Sequence, residues 1–436
     1  MQLKFVLPVL LLNLCGFTGI DSVIARDDGR NDTRDSLNIT IKQAEDLFLK
    51  NNLNLIAGQY NIDDARAQVI TARLFDNPEV SYENILYNSA NKRILDVSKQ
   101  TGQRAASISQ LFQTAGKRNK NIRLAKMGVQ QAEFQLFDLL RTLKYTLRTD
   151  FYKIYYQEQS AKVYAREISS LSKTLVGFKQ QYAKENIALK EVLRIQSQLY
   201  TLQSELNELK DDIDDVQSEF KLLTRTNANL QIVPQLEFKL DGKDVLQQVT
   251  YKKLLDSAYT NRYDLKLSHA VIESSNLNLR LQKSMAIPDV TMSITYDRFA
   301  GYTPNYTGLG ISIPLPLFNR NQGNIRQAKV AIDVSKNALA QQEDQLQSDL
   351  DNSYQAADRL ERLYNSFDPK FKADFTHLIE EVYKSYEKHN ISLLEFLDFY
   401  DSYKTNAIQL NNLQLNRISS LEQLNFVTGT PFFNQQ

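Results

Sequence analysis

The sequence is poor in the residues that interrupt or staple a chain. Among 436 residues there are one cysteine, no tryptophan, nine prolines and 14 glycines. Gly and Pro are scarce against average usage, so few tight turns are available and long helices are favoured. The lone Cys15 excludes a disulfide framework. His269, His377 and His389 stand apart, with no Cys or second His at metal-ligand spacing. Charge of either sign is not in excess, with 52 Lys and Arg against 51 Asp and Glu, which argues against the basic footprint of a nucleic-acid binder. Glycine-rich phosphate loops and a nucleophile with a base at a telling spacing are both missing. An enzyme is therefore not expected, nor is a cofactor. Asp211, Asp212, Asp214 and Asp215 read as a solvated helix face. Met127, Met285 and Met292 are too few for a thioether relay for soft metals.

Long hydrophobic runs are also missing. The longest, Phe5 to Leu14 after Lys4, is too short for a spanning helix and reads as a signal peptide. Val23-Ile-Ala25 offers a cleavage site after Ala25. Acylation of Cys15 is the alternative, and the bulky Leu14 before it disfavours this. Residues 1–25 are expected to be removed on export, and Arg26 to Asp35 to be loose. Any membrane contact must then be made without helices.

What the chain does contain is a repeat. NIRLAK begins at Asn121 and NIRQAK at Asn324, five of six residues matching at an offset of 203. The stretches Tyr182–Leu193 and Tyr386–Leu397 agree at seven of twelve positions, at an offset of 204. Asn77-Pro-Glu-Val-Ser81 is echoed by Ile287-Pro-Asp-Val-Thr291, at an offset of 210. Three blocks in the same order mean an internal duplication. The expected organisation is a first repeat over 26–226, a connector over 227–249 and a second repeat over 250–436.

Within each repeat the period changes. Ile122, Ala125, Val129, Ala132, Leu136, Leu139, Leu143, Leu147, Phe151 and Ile154 step by three and four. An unbroken helix from Asn121 to Tyr182 would run roughly 90 Å, and a second helix would return from Glu191. Helical hairpins are expected over about 118–224 and 321–426. Their helices are polar nearly all round apart from the seam, as in a wall wetted on both sides. Shorter helices are expected from Thr40 to Asn52, Leu55 to Phe75, Tyr251 to Asn261 and Leu265 to Met285. Strict alternation over Val290–Tyr296 and Leu309–Leu315, with weaker alternation at Val80–Ile85 and Ala106–Leu111, predicts β-hairpins over about 78–113 and 288–316. The alternating Leu236, Phe238 and Leu240 suit a short strand in the connector. The fold class is thus mainly α with a small β part. Four strands cannot close a barrel alone, so a barrel shared among protomers is the attractive solution.

Ile313-Pro-Leu-Pro-Leu-Phe-Asn-Arg-Asn-Gln-Gly-Asn-Ile-Arg-Gln-Ala328 resembles the strand-to-helix signature of TolC-family outer-membrane efflux proteins, nearest the CzcC/CusC-like branch. That resemblance implies a homotrimer in the outer membrane, with a twelve-stranded barrel set in lipid and an α-helical tunnel in the periplasm. It implies an exit duct served by an inner-membrane RND-type pump and a periplasmic adaptor. Metal-cation cargo rests on the resemblance alone. The hexapeptides would mark the passage from barrel to tunnel, with Arg123 and Arg326 as anchors near the membrane surface. At the periplasmic tip, Glu395 and Asp398 match the family's constriction acids. Glu191 matches the acidic partner on the first hairpin, and Tyr386 the tyrosine bonded to it. The family's tip arginine is replaced by Ile391, and Lys388 or Arg194 is left to substitute. The same duct could serve drug efflux or type I protein secretion. From another class, an exported coiled-coil structural or adaptor protein competes, but a rod has no use for a strand with one apolar face.

Overall fold

A computed structural model describes residues 35–89, 91–236, 244–299, 303–368, 370–388 and 390–433. The expected signal peptide, its alternative at Cys15, His389, Phe238 and Leu240 lie outside these residues, as does the N-terminal stretch up to Arg34. In chain order the elements are β1 (Ser36–Thr40), α1 (Ile41–Asn51), α2 (Leu53–Arg73), β2 (Glu79–Asn84), β3 (Tyr87–Asn88), β4 (Arg93–Ile94), β5 (Arg104–Phe112), α3 (Lys117–Ala183) and α4 (Leu189–Thr224). The second half follows with β6 (Gln231–Gln235), α5 (Tyr251–Asn261), α6 (Tyr263–Met285), β7 (Val290–Phe299), β8 (Pro304–Ser312), α7 (Gln322–Ser366), α8 (Phe371–Glu387) and α9 (Leu393–Thr428).

The duplication is visible in the elements. Helices α1 and α5 are each 11 residues long and start 210 positions apart; α4 and α9 are each 36 and start 204 apart. Both of the latter pairs end in a left-handed residue, Arg225 at φ 54° and Gly429 at φ 65°. Glycine takes that conformation freely, and it also lets the chain pass Arg262, whose backbone nitrogen would lie 3.3 Å from an added Cβ.

Helix α3 is continuous over 67 residues, about 100 Å, and packs along α2, α4, α6 and α9. The matching helix of the second repeat is not continuous. It stops at Ser366 and resumes at Phe371, where the sequence reading expected no break. Pro369 explains the stop: it lacks a backbone donor and disfavours helical conformation at Asp368. Asp368 instead accepts a hydrogen bond from the Lys370 nitrogen at 2.9 Å. Just before Leu236 the connector carries a strand, β6, which pairs in parallel with β1, from Ser36 opposite Gln231 to Thr40 opposite Gln235.

Apolar burial is divided among separate clusters along the rod. Around the β1–β6 pair, Phe48, Phe151, Tyr152, Phe220, Ile232 and Ile418 are buried together. Leu246, Leu254, Leu350, Leu421, Leu424 and Phe433 form a second cluster. The seam residues of α3 nearer the sheet, from Ile122 to Leu143, are only half-buried, whereas Leu147, Phe151 and Ile154 are fully buried. A thin wall has little interior until other elements girdle it.

Buried ion pairs stitch the girdle. Arg148 donates to Glu45 on α1 at 2.6 Å and to Glu422 on α9 at 2.7 Å, and Lys144 adds a 2.8 Å contact to Glu45. Arg417 bonds Glu361 at 2.7 Å across α9 and α7, and Glu361 also accepts from the Val245 nitrogen at 3.0 Å. Asn52 caps α2 and donates to the Leu223 carbonyl at 2.9 Å, tying the top of α4 to the α1–α2 corner. Removing one member of such a group strands buried charge. Arg148→Met is expected to cost about 3–5 kcal/mol in urea unfolding of the detergent-solubilised protein; a loss within error would show that Glu45 and Glu422 rehydrate freely.

Candidate functional site

The four-stranded sheet has the order β2-β5-β7-β8, antiparallel throughout. Its register sorts the side chains. Val80, Ile108, Ile294 and Leu309 lie in one cross-strand row, and Tyr82, Ala106 and Tyr296 in another on the same face. Because successive strand residues alternate, the opposite face carries Ser81, Ser107, Thr295 and Gly308, then Glu79, Ser109, Ser293 and Gly310. Ser81 and Ser107 share a 2.7 Å hydrogen bond. At Gly310 an added Cβ would stand 2.5 Å from the Ser293 hydroxyl, so this face is held to small groups.

Among the described residues the apolar face is left exposed. Val80 is 73 % exposed, Leu309 69 % and Ile294 54 %. A contiguous exposed apolar sheet marks contact with another apolar phase. Strands of nine or ten residues, the length of β5, β7 and β8, suit a tilted membrane crossing. Among the described residues no helix is long and apolar enough to cross a membrane.

Below the sheet the chain passes into helices through a polar junction. Lys117, at the start of α3, bonds Asp289 at 2.8 Å, and Asp289 also accepts from the Thr114 nitrogen at 2.8 Å. Arg118 donates to the Arg73 carbonyl at 2.8 Å and covers the Phe75 ring at 4.0 Å. Arg123 and Arg326, the anchors expected from the hexapeptides, are exposed in the first turns of α3 and α7. The junction contacts are made by Lys117 and Arg118. Pro288-Asp289, already singled out as part of a repeat block, was the available signal for this. The loop β3–β4 was not foreseen: Asp96 accepts from Thr101, Ser98 and Asn88 at 2.6, 3.0 and 3.3 Å.

At the far end of the helices the two hairpin turns pack on each other. Leu171, Leu175, Val192, Ile195, Val382 and Phe396 are buried there together. Tyr386 stacks on Phe396 at 4.3 Å and lies 6.0 Å from Phe178. Burial raises the pKa of its hydroxyl, and the nearby Glu191 carboxylate adds to the rise. Glu191, Tyr386, Glu395 and Asp398 therefore share one end of the molecule. Glu395 has a local task as well. Its carboxylate accepts from the Ser392 backbone nitrogen and hydroxyl, both at 2.8 Å, closing a capping box for α9. Those bonds, the backbone one first, hold its pKa below the ordinary value. Asp398 is exposed one turn on, while Arg194 and Lys388 are exposed at the starts and ends of their helices.

Set back from the tip, Glu167 is only 2 % exposed. It lines a cavity of about 350 Å³ with Arg166, Ser170, Tyr383, Tyr400 and Tyr403.

The sequence and the fold can now be set beside known proteins. A family model for outer membrane efflux proteins matches residues 254–430, nearly all of the second repeat. The cobalt-zinc-cadmium resistance protein CzcC of Cupriavidus metallidurans is 24 % identical over 302 residues, 68 % of each chain. The CmeC outer membrane channel of Campylobacter jejuni superposes with a TM-score of 0.71 at 15 % identity, over 91 % of this chain and 87 % of CmeC. The outer membrane protein VceC of Vibrio cholerae gives 0.69 at 16 % identity, over 90 % of this chain and 97 % of VceC. Residues 254–430 thus match the outer membrane efflux protein family, and the chain as a whole has the fold of these channels.

The family description and the exposed apolar face agree on a sheet that meets membrane hydrocarbon. Placing charge on that face is therefore costly: Ile294→Arg is expected to lose about 2–4 kcal/mol of folded stability in lipid, whereas Thr295→Arg, on the polar face, should be tolerated. The folded fraction in outer-membrane vesicles checks this; equal losses would reverse the assignment of faces. A second expectation concerns pH. Burial pushes the Glu167 carboxyl up to about 8 from 4.5, against the pull of Arg166 and Lys404. A carboxyl that binds its proton more tightly when folded gives stability that is full below about 4.5 and is lost as pH rises toward 8. Tip amides should exchange faster across that window in the parent, and Glu167→Gln should flatten the dependence.

Proposed function

We propose that three copies of this chain form a continuous exit duct, whose closed periplasmic end is an acidic constriction selecting for cations. The observation that carries the reading is a separation. An apolar-faced sheet stands at one end of helices about 100 Å long, and Glu191, Tyr386, Glu395 and Asp398 gather at the other. Repeated around a threefold axis, Asp398 and Glu395 would form rings of carboxylate in a narrow pore, which repel anions and attract cations. Tyr386, held by its stack on Phe396, fixes the second hairpin beside Glu191 of the first. The periplasmic adaptor and an inner-membrane RND-type pump would engage this end and deliver cargo. Metal cations are the favoured cargo class, since CzcC is named for cobalt, zinc and cadmium resistance.

Single-channel recording in planar bilayers tests the constriction. The parent is expected to show a small, cation-preferring conductance. Glu395→Gln with Asp398→Asn should lower the cation preference several-fold, and glutamine at 395 keeps a side-chain oxygen for the cap. Unchanged selectivity would remove both residues from the pore. Absence of any conductance, from protein that stays soluble without detergent, would overturn the duct.

A further inference from the structure

The internal junction of the sheet contains a charge pattern that a single chain uses only once. Lys117 lies four residues before Asn121 of the first hexapeptide, and Asp289 follows Pro288. Lys117 is 4 % exposed and bonds Asp289 at 2.8 Å, where β5 of the first repeat meets β7 of the second. Counted from the same landmarks, the other repeat supplies Arg320, four residues before Asn324, and Glu79, which follows Pro78. Each repeat thus has an acid before its β-hairpin and a cation after it. Inside the chain the first cation meets the second acid. The second cation and the first acid are both exposed: Arg320 follows β8 in the chain and Glu79 opens β2, the two edge strands. Those edges are three strand spacings apart, about 14 Å, with β5 and β7 between them.

We propose that Arg320 of one copy pairs with Glu79 of its neighbour, where β8 of the first copy adds antiparallel to β2 of the second and repeats the β5–β7 junction. The proposal rests on the threefold duct and goes beyond it by naming the residues that join its copies. Sheet edges with free backbone donors and acceptors recruit another strand, and in a bilayer they must do so. The contact is head-to-tail, so each copy uses both edges and the ring closes without a free one. Around that ring Lys–Asp and Arg–Glu junctions would alternate, on the polar face at the periplasmic margin. Arg is suited to the exposed, intermolecular place, since its planar fork can hold a carboxylate in two bonds at once. The pair acts here as a guide to register between copies, opposite charges favouring the one closing arrangement and like charges opposing it.

The test uses the full chain with Cys15→Ser, so that introduced thiols are the only ones. A Glu79→Cys/Arg320→Cys variant in native membranes is treated with a short bismaleimide. A ladder of two and three linked chains is expected, and neither single cysteine variant should give it. A charge exchange supplies the second readout. Glu79→Lys and Arg320→Glu should each lower several-fold the fraction surviving as trimer on unheated gels, and the double exchange should restore it to within about twofold. A parent that purifies as a single chain overturns the trimer itself. A trimeric parent whose double-cysteine form gives no ladder, or whose charge losses simply add in the double exchange, overturns the pairing alone.

Discussion

The open, one-sided sheet is the constraint from which the rest of this molecule follows. Four strands leave two edges unpaired and one apolar face uncovered, and water satisfies neither condition well. Hydrocarbon accepts the face but is worse for the edges, because a backbone group left unpaired there has no solvent partner. The sheet can therefore rest only in a membrane and only beside other strands. Its opposite face is held to small polar groups, crowded at Gly310 against Ser293.

The helices inherit that geometry. They continue from the sheet as long elements whose seam residues nearest it are only half-buried. Hydrophobic burial can then accumulate only at seams and at places where extra elements wrap round. The β1–β6 pair and the short helices supply such a girdle, and the tip supplies another site by folding the two hairpins together. Buried ion pairs sit where the girdle meets the wall, as at Arg148 and Arg417. Pairs of that kind add little net stability against an apolar replacement, but leaving one member unpartnered is costly. They fix which helices lie side by side, a useful property for a rod with several similar faces.

Function is divided between the ends for the same reason. In the proposed duct a wet lumen would be selective only where it narrows, and the tip is where both hairpins turn and pack. Glu395 shows how closely structure and function are bound there. Its carboxylate caps the helix that would present it to the pore, so its position is set by the backbone. Glu167 lies behind that surface, buried beside tyrosines.

By itself the sequence determined the duplication, the long helices and the alternating strands. These are periodic properties: a step of three and four, a step of two, and an offset near 204 are all written along the chain. Glu191, Tyr386 and Glu395 lie in the repeated tip blocks and Asp398 directly follows the second, but it was the family resemblance that singled them out. Only the tertiary structure decided that Lys117 meets Asp289, that Arg148 joins α1 to α9, and that β6 runs parallel to β1. It also showed that the second long helix ends at Ser366 and resumes at Phe371, which the helical seam of the sequence obscured. Those features depend on pairs more than 100 residues apart, or on the balance between a local breaker and a long cooperative helix. A periodic pattern specifies which face of an element is buried, but not which charge on another element will lie against it.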